Sequence, residues 1–198
     1  MVRDIMKPRC SAAPPASERA HTHGEAGRRE AMPTNGLTVS EIREEARNAA
    51  LAVLEQHWDG ELPVDPVQLS RALGASVFNA QLGDDTWGMI VGSGDSADIY
   101  LDKDQPHVRY RFSCAHEMGH YVDHQSDLKP GKGYVDSRSN AGAGRPEEIY
   151  ANEFAASILM PEEEFRRAAS ADRSLIALAN KFEVSLDAAR WRCHHLGL

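Results

Sequence analysis

Cysteine, long apolar runs and positive charge are all scarce in this chain, and each shortage removes a class of protein. Its three cysteines, Cys10, Cys114 and Cys193, are scattered over 198 residues with no C-x-x-C pair. A disulfide framework or a thiolate zinc knuckle needs closely placed cysteines, so neither is expected, and a reducing cytoplasm is the simplest compartment. No apolar stretch approaches the roughly 20 residues that span a bilayer. The N-terminal stretch also lacks the apolar segment of a secretory leader. No membrane association is therefore expected. With 22 Lys and Arg against 30 Asp and Glu, the formal charge is −8. That balance opposes general attraction to nucleic acid, so direct nucleic-acid binding is not expected. What is present, 41% hydrophobic residues in a chain of this length, is enough for one buried core and one domain.

Residues 1–36 are rich in Ala, Pro, Arg, Glu and Gly, show no apolar periodicity, and are predicted to form a disordered tail before a folded domain over 37–198. Thr38 with Glu41 three residues later reads as a capping box. It opens a long amphipathic helix carrying Ile42, Ala46, Ala50, Val53 and Leu54 and ending near Gly60. Asp65 before Pro66 is a cap and a first-turn proline for a short second helix that Gly74 stops. The segments 75–80, 86–91 and 97–101 are short, β-like and separated by turn residues, and predict a three-stranded antiparallel meander. Its last strand would present an edge to which an extended peptide can add. A polar, glycine-rich loop is expected from Gln125 to Arg145. Further helices are expected over 146–160, 162–169, 174–182 and 186–196.

The chemistry concentrates in His116-Glu117-Met118-Gly119-His120. Pro106 and the apolar positions Val108, Phe112, Ala115, Gly119 and Val122 place this H-E-x-x-H pattern inside a helix. Residues four apart then share a face, so His116 and His120 can offer two imidazoles to one metal ion. Glu117, about 100° round the helix, borders that face without being a ligand. Zinc in a catalytic site takes three protein ligands and keeps one position open, where it lowers the pKa of water to roughly 7. Glu117 is placed to accept the proton of that water and return it to a leaving amine. A third ligand is available at the start of the helix that Pro146 opens, where Glu147 and Glu148 both flank the apolar stripe of Ala151, Phe154, Ala155 and Ile158. Acids in a first turn also complement the helix dipole, and periodicity does not choose between the two.

Three motifs taken together, His116-Glu117-Met118-Gly119-His120 with His124, Glu148 to Pro161, and Phe182-Glu183-Val184-Ser185 with a closing Leu196-Gly197-Leu198, resemble the ImmA/IrrE metallo-endopeptidases. The resemblance runs from about Thr38 to the C-terminus. It implies an α+β, mainly helical, gluzincin-like fold with a small three-stranded antiparallel sheet and a C-terminal helix-turn-helix-like tail over 172–198. It further implies Zn2+ held by His116, His120 and Glu148, with Asn152 one turn on orienting the Glu148 carboxylate. Members of that family cleave a partner repressor of helix-turn-helix type. The expected partner is thus a protein substrate, a repressor or antitoxin, whose loss switches on a stress, mobile-element or toxin–antitoxin response. The sequence departs from the family in its N-terminal tail, and sensing of the kind the radiation-response members perform through a C-terminal domain is not expected of it.

Several residues carry secondary expectations. His124, two turns from His116, is about 12 Å along the axis, too far to share its metal. It is left to touch substrate or to pack. Tyr121 and Tyr150 are candidates for stabilising an oxyanion, each with a packing role as the simpler reading. Cys114 faces away from His116 and belongs to the core. Arg190 and Arg192 would face DNA if the tail read it. A regulator that binds DNA or sequesters a transcription factor without cutting it is the alternative to a peptidase.

Overall fold

A computed structural model describes residues 36–83, 86–93, 96–124, 133–137 and 144–198. The expectation of a disordered N-terminal tail falls on residues outside these, Gly36 excepted. In the first helix, α1 (Val39–His57), the capping box is closed in both directions: the Thr38 hydroxyl accepts from Glu41 N at 3.3 Å, and the Glu41 carboxylate accepts from Thr38 N at 2.7 Å. Asp65 caps α2 (Pro66–Ala72) by accepting from Val67 N at 2.8 Å. The strands β1 (Ser76–Ala80), β2 (Thr86–Ser93) and β3 (Ser96–Asp102) follow, then α3 (His107–His124), β4 (Gly133–Ser137) and α4 (Pro146–Leu159). The chain closes with α5 (Glu162–Ala171), α6 (Leu175–Phe182) and α7 (Leu186–Leu196).

The α+β class holds, but the sheet differs from a three-stranded antiparallel meander. Among the described residues it has four strands in the order β1-β3-β2-β4, and β1 pairs with β3 in parallel. The fourth strand, β4, comes from the stretch expected to be loop and pairs antiparallel with β2. Period-two alternation reports which face of a strand is buried and says nothing about which strand lies beside it. That is why β3, expected at an edge, is interior, with Ala97, Ile99 and Leu101 all fully buried.

Helix α3 runs between two apolar clusters. Ala115 and Met118 pack with α1 and α4, while Cys114 and Tyr121 pack with Ile90, Ile99 and Leu101 of the sheet. Every residue from Ser113 to Tyr121 is buried as a result. Among the described residues no helix is long and apolar enough to cross a membrane.

The C-terminal pair is fastened to this core through its turn. Glu183 adopts the left-handed conformation with φ 49°. Its carbonyl accepts from Arg111 Nε at 3.3 Å, and its carboxylate lies 3.0 Å from His107 Nε2 and 3.6 Å from Arg111 Nη1. Buried Arg111 also donates to the Val64 carbonyl at 2.7 Å, so one guanidinium ties α3 to two distant loops. Of Arg190 and Arg192, expected to face DNA if the tail read it, Arg192 is turned inward while Arg190 stays exposed, so the expectation is corrected for Arg192. Arg192 is 2% exposed and donates to the Met160 carbonyl at 3.0 Å, and Arg190 is paired with Asp187 at 2.8 Å.

Candidate metal centre

His116 and His120 lie on adjacent turns of α3, are 2% and 1% exposed, and bring their Nε2 atoms to 3.1 Å of each other. The first turn of α4 supplies the acid. Glu148 Oε2 is 3.5 Å from His116 Nε2, and Glu148 Oε1 is 3.5 Å from His120 Nε2. With bonds of about 2.0–2.1 Å, a tetrahedral zinc site has ligand atoms about 3.3 Å apart. The separation of the imidazoles, and that of each from its nearer Glu148 oxygen, lie close to that value, so the donor set is compatible with a metal ion. Among the described residues these three form the group able to hold a metal. Glu147, the other acid that periodicity left open, turns to Arg145 at 3.4 Å.

The Glu148 carboxyl is held below its usual pKa range. Burial acts to raise it, but hydrogen bonds and charge from His116 and His120 more than reverse that. The carboxylate is therefore the form present at neutral pH, as a ligand requires.

Two glycines explain how the parts come so close. A Cβ on Gly119 would lie 3.0 Å from the Ala151 Cα and 3.2 Å from the Phe154 ring. Gly119 is therefore a point of close approach between α3 and α4, at Ala151, three residues past Glu148. A Cβ on Gly88 would lie 2.9 Å from Glu117 Oε1, so the β2 backbone passes directly over the candidate base. Sequence reasoning gave Gly88 no role. The available signal was a glycine inside a β pattern, which marks a bulge or a close backbone approach, and β2 and β4 do slip register between Thr86 and Gly88.

Other expected site residues fall elsewhere. Asn152 is exposed and lines a neighbouring cavity. Arg145, rather than Asn152, reaches the Glu148 carboxylate, at 3.4 Å. Tyr121 donates its hydroxyl to the Leu73 carbonyl at 3.3 Å, under the end of α2. Tyr150 is buried and stacks on Phe154. Burial pushes its pKa up, with Asp123 and Glu45 adding to the effect. His124 ends α3, and its side chain lies outside the described residues. Cys114 is fully buried as expected.

In this α+β domain two histidines of a buried helix and a glutamate of the next helix form a group able to hold a metal ion. The chain belongs to the IrrE N-terminal-like domain family, Peptidase_M78, whose model matches residues 71–194, more than half of the sequence. The resemblance to the ImmA/IrrE metallopeptidases stands on that match. No curated protein matches the chain. A solved structure titled Mycobacterium tuberculosis transcriptional regulator is similar with a TM-score of 0.53 and 20% identity, over 81% of this chain and 52% of that one. At that identity the likeness shows the fold alone, and this chain spans about half the length of the other.

Proposed function

We propose that the protein is a zinc-dependent endopeptidase that cuts a protein partner of helix-turn-helix repressor or antitoxin type in the cytoplasm. The observation that carries this reading is the Glu148 carboxylate standing 3.5 Å from each of two imidazoles, with Glu117 beside them and fully buried. Zinc bound by His116, His120 and Glu148 would act as the Lewis acid on water and on the scissile carbonyl. The rest is done by the chain. Glu117 accepts a proton from the water whose oxygen bonds to the carbonyl carbon. It then delivers that proton to the departing nitrogen as the carbon–nitrogen bond breaks. Burial excludes competing water and strengthens these charge interactions. The β4 strand lies at one edge of the sheet among the described residues. It suits an extended substrate that adds to it by main-chain hydrogen bonds.

Control of transcription by such cleavage is supported by the family membership, and the similar fold titled a transcriptional regulator accords with it. The test uses zinc-loaded protein and a candidate helix-turn-helix repressor, taken from an adjoining reading frame where one is encoded there. Glu117→Gln is expected to retain zinc and lose cleavage by roughly 10²–10⁴-fold. Equal rates for variant and wild type would refute the mechanism. A stable complex left uncut by zinc-loaded wild type would instead support sequestration.

A further inference from the structure

A cavity of about 620 Å³ opens beside the metal centre, walled by Val108 and Phe112 of α3, Ile149 and Ala156 of α4, and Ala188 and Trp191 of α7. We propose that it is a subsite for bulky apolar side chains of the polypeptide substrate, and that the C-terminal helix pair serves as its outer wall. The inference rests on the endopeptidase reading and names what that site selects.

Three observations lead to it. The cavity neighbours the metal centre through one of its wall residues, Phe112. The Phe112 ring lies 6.1 Å from that of His116, and Ile149 directly follows Glu148 in the chain. Its charged groups are engaged within the protein. Glu153 is held by Arg43 at 3.8 Å and Arg47 at 3.3 Å, and Asp187 is held by Arg190 at 2.8 Å. Arg109 lies over the Trp87 and Phe112 rings, with its guanidinium carbon 5.2 and 5.5 Å from their centroids. Selection therefore falls to the apolar walls. The α7 wall, finally, is rigidly placed. Arg192 anchors it to Met160, and the turn at Glu183 is pinned by Arg111.

The volume lies within the range of pockets that enclose a ligand, about 300–1,000 Å³. One side chain would leave most of it empty, whereas two or three bulky apolar residues of a bound segment would fill it. Apolar residues of that kind are hidden in a folded helical repressor, so the cavity favours substrate whose core has locally opened.

The experiment uses zinc-loaded full-length Glu117→Gln, which is not expected to turn substrate over, and two fluorescein-labelled octapeptides that differ only in Leu-Phe-Leu against Ser-Asn-Ser at the centre. Fluorescence anisotropy is expected to show the apolar peptide binding at least about 10-fold tighter, the scale on which apolar pockets discriminate. Ala188→Phe, at the α7 wall, should abolish that preference with zinc content and circular dichroism unchanged. Ala156→Phe tests the α4 wall should the first variant fail to fold. Equal binding of the two peptides, or a preference that survives both substitutions, would overturn the proposal. Preference without any cleavage by zinc-loaded wild type would leave the subsite standing and sink the peptidase reading. Cleavage without preference would sink the subsite alone.

Discussion

Replacing Gly119 by alanine sets two effects of known size against each other. In an unconstrained helix interior the change stabilises by about 0.5–1 kcal/mol, because glycine loses more backbone freedom on folding. Here the added methyl would lie 3.0 Å from the Ala151 Cα and 3.3 Å from the Ala151 carbonyl oxygen, against ordinary carbon contacts of about 3.5–4.0 Å. Backbone cannot swing aside as a side-chain tip does, so α4 must retreat by roughly 0.5 Å or more. Overpacking of this kind costs about 1–3 kcal/mol, which matches or outweighs the helix gain and leaves a net loss of up to about 2.5 kcal/mol. The retreat carries Glu148 with it, one turn away. Zinc sites tolerate errors of only about 0.2 Å in ligand distance, so zinc affinity should fall by about 10–100-fold. Competition with a chromophoric chelator measures the affinity, and urea unfolding of the metal-free protein measures the stability. A variant that gains about 1 kcal/mol and binds zinc as wild type does would show that Gly119 does not set the distance between the helices.

At Gly88 the added methyl meets a side chain, the Glu117 carboxylate at 2.9 Å. Gly88→Ala should therefore leave zinc content intact while displaced Glu117 lowers kcat about 100-fold. Unchanged kcat at full zinc loading would remove Gly88 from the site. Burial pushes the Cys114 thiol from an ordinary 9.0 up to about 12. The unfolded thiol ionises near 9 while the folded one stays neutral. This contribution to stability is thus intact below pH 9 and is lost as pH rises toward 12. The urea midpoint should fall across that window and fall less steeply in Cys114→Ala; equal slopes would refute the assignment. Truncating Arg192 leaves the Met160 carbonyl buried without its donor, which costs about 1–3 kcal/mol before lost packing is added. Arg192→Ala should show that loss in urea unfolding, and a change under 0.5 kcal/mol would show the side chain to be replaceable.

Short-range chemistry was legible in the sequence by itself. Thr38 with Glu41, Asp65 with Pro66, and His116 with His120 are each relations within four residues, where helix geometry dictates who meets whom. The core stripes of α1 and α4 followed from the same period. Relations across the chain were decided only by the tertiary structure. Glu147 and Glu148 are equivalent by local rules, and the approach of α4 to α3 at Gly119 is what brings Glu148 to the imidazoles. Strand neighbours, the β2 backbone over Glu117, and the roles of Tyr121 and Arg192 likewise depend on partners far along the chain. Periodicity marks the face a residue presents. Which surface arrives to cover that face is set by how all the elements pack at once.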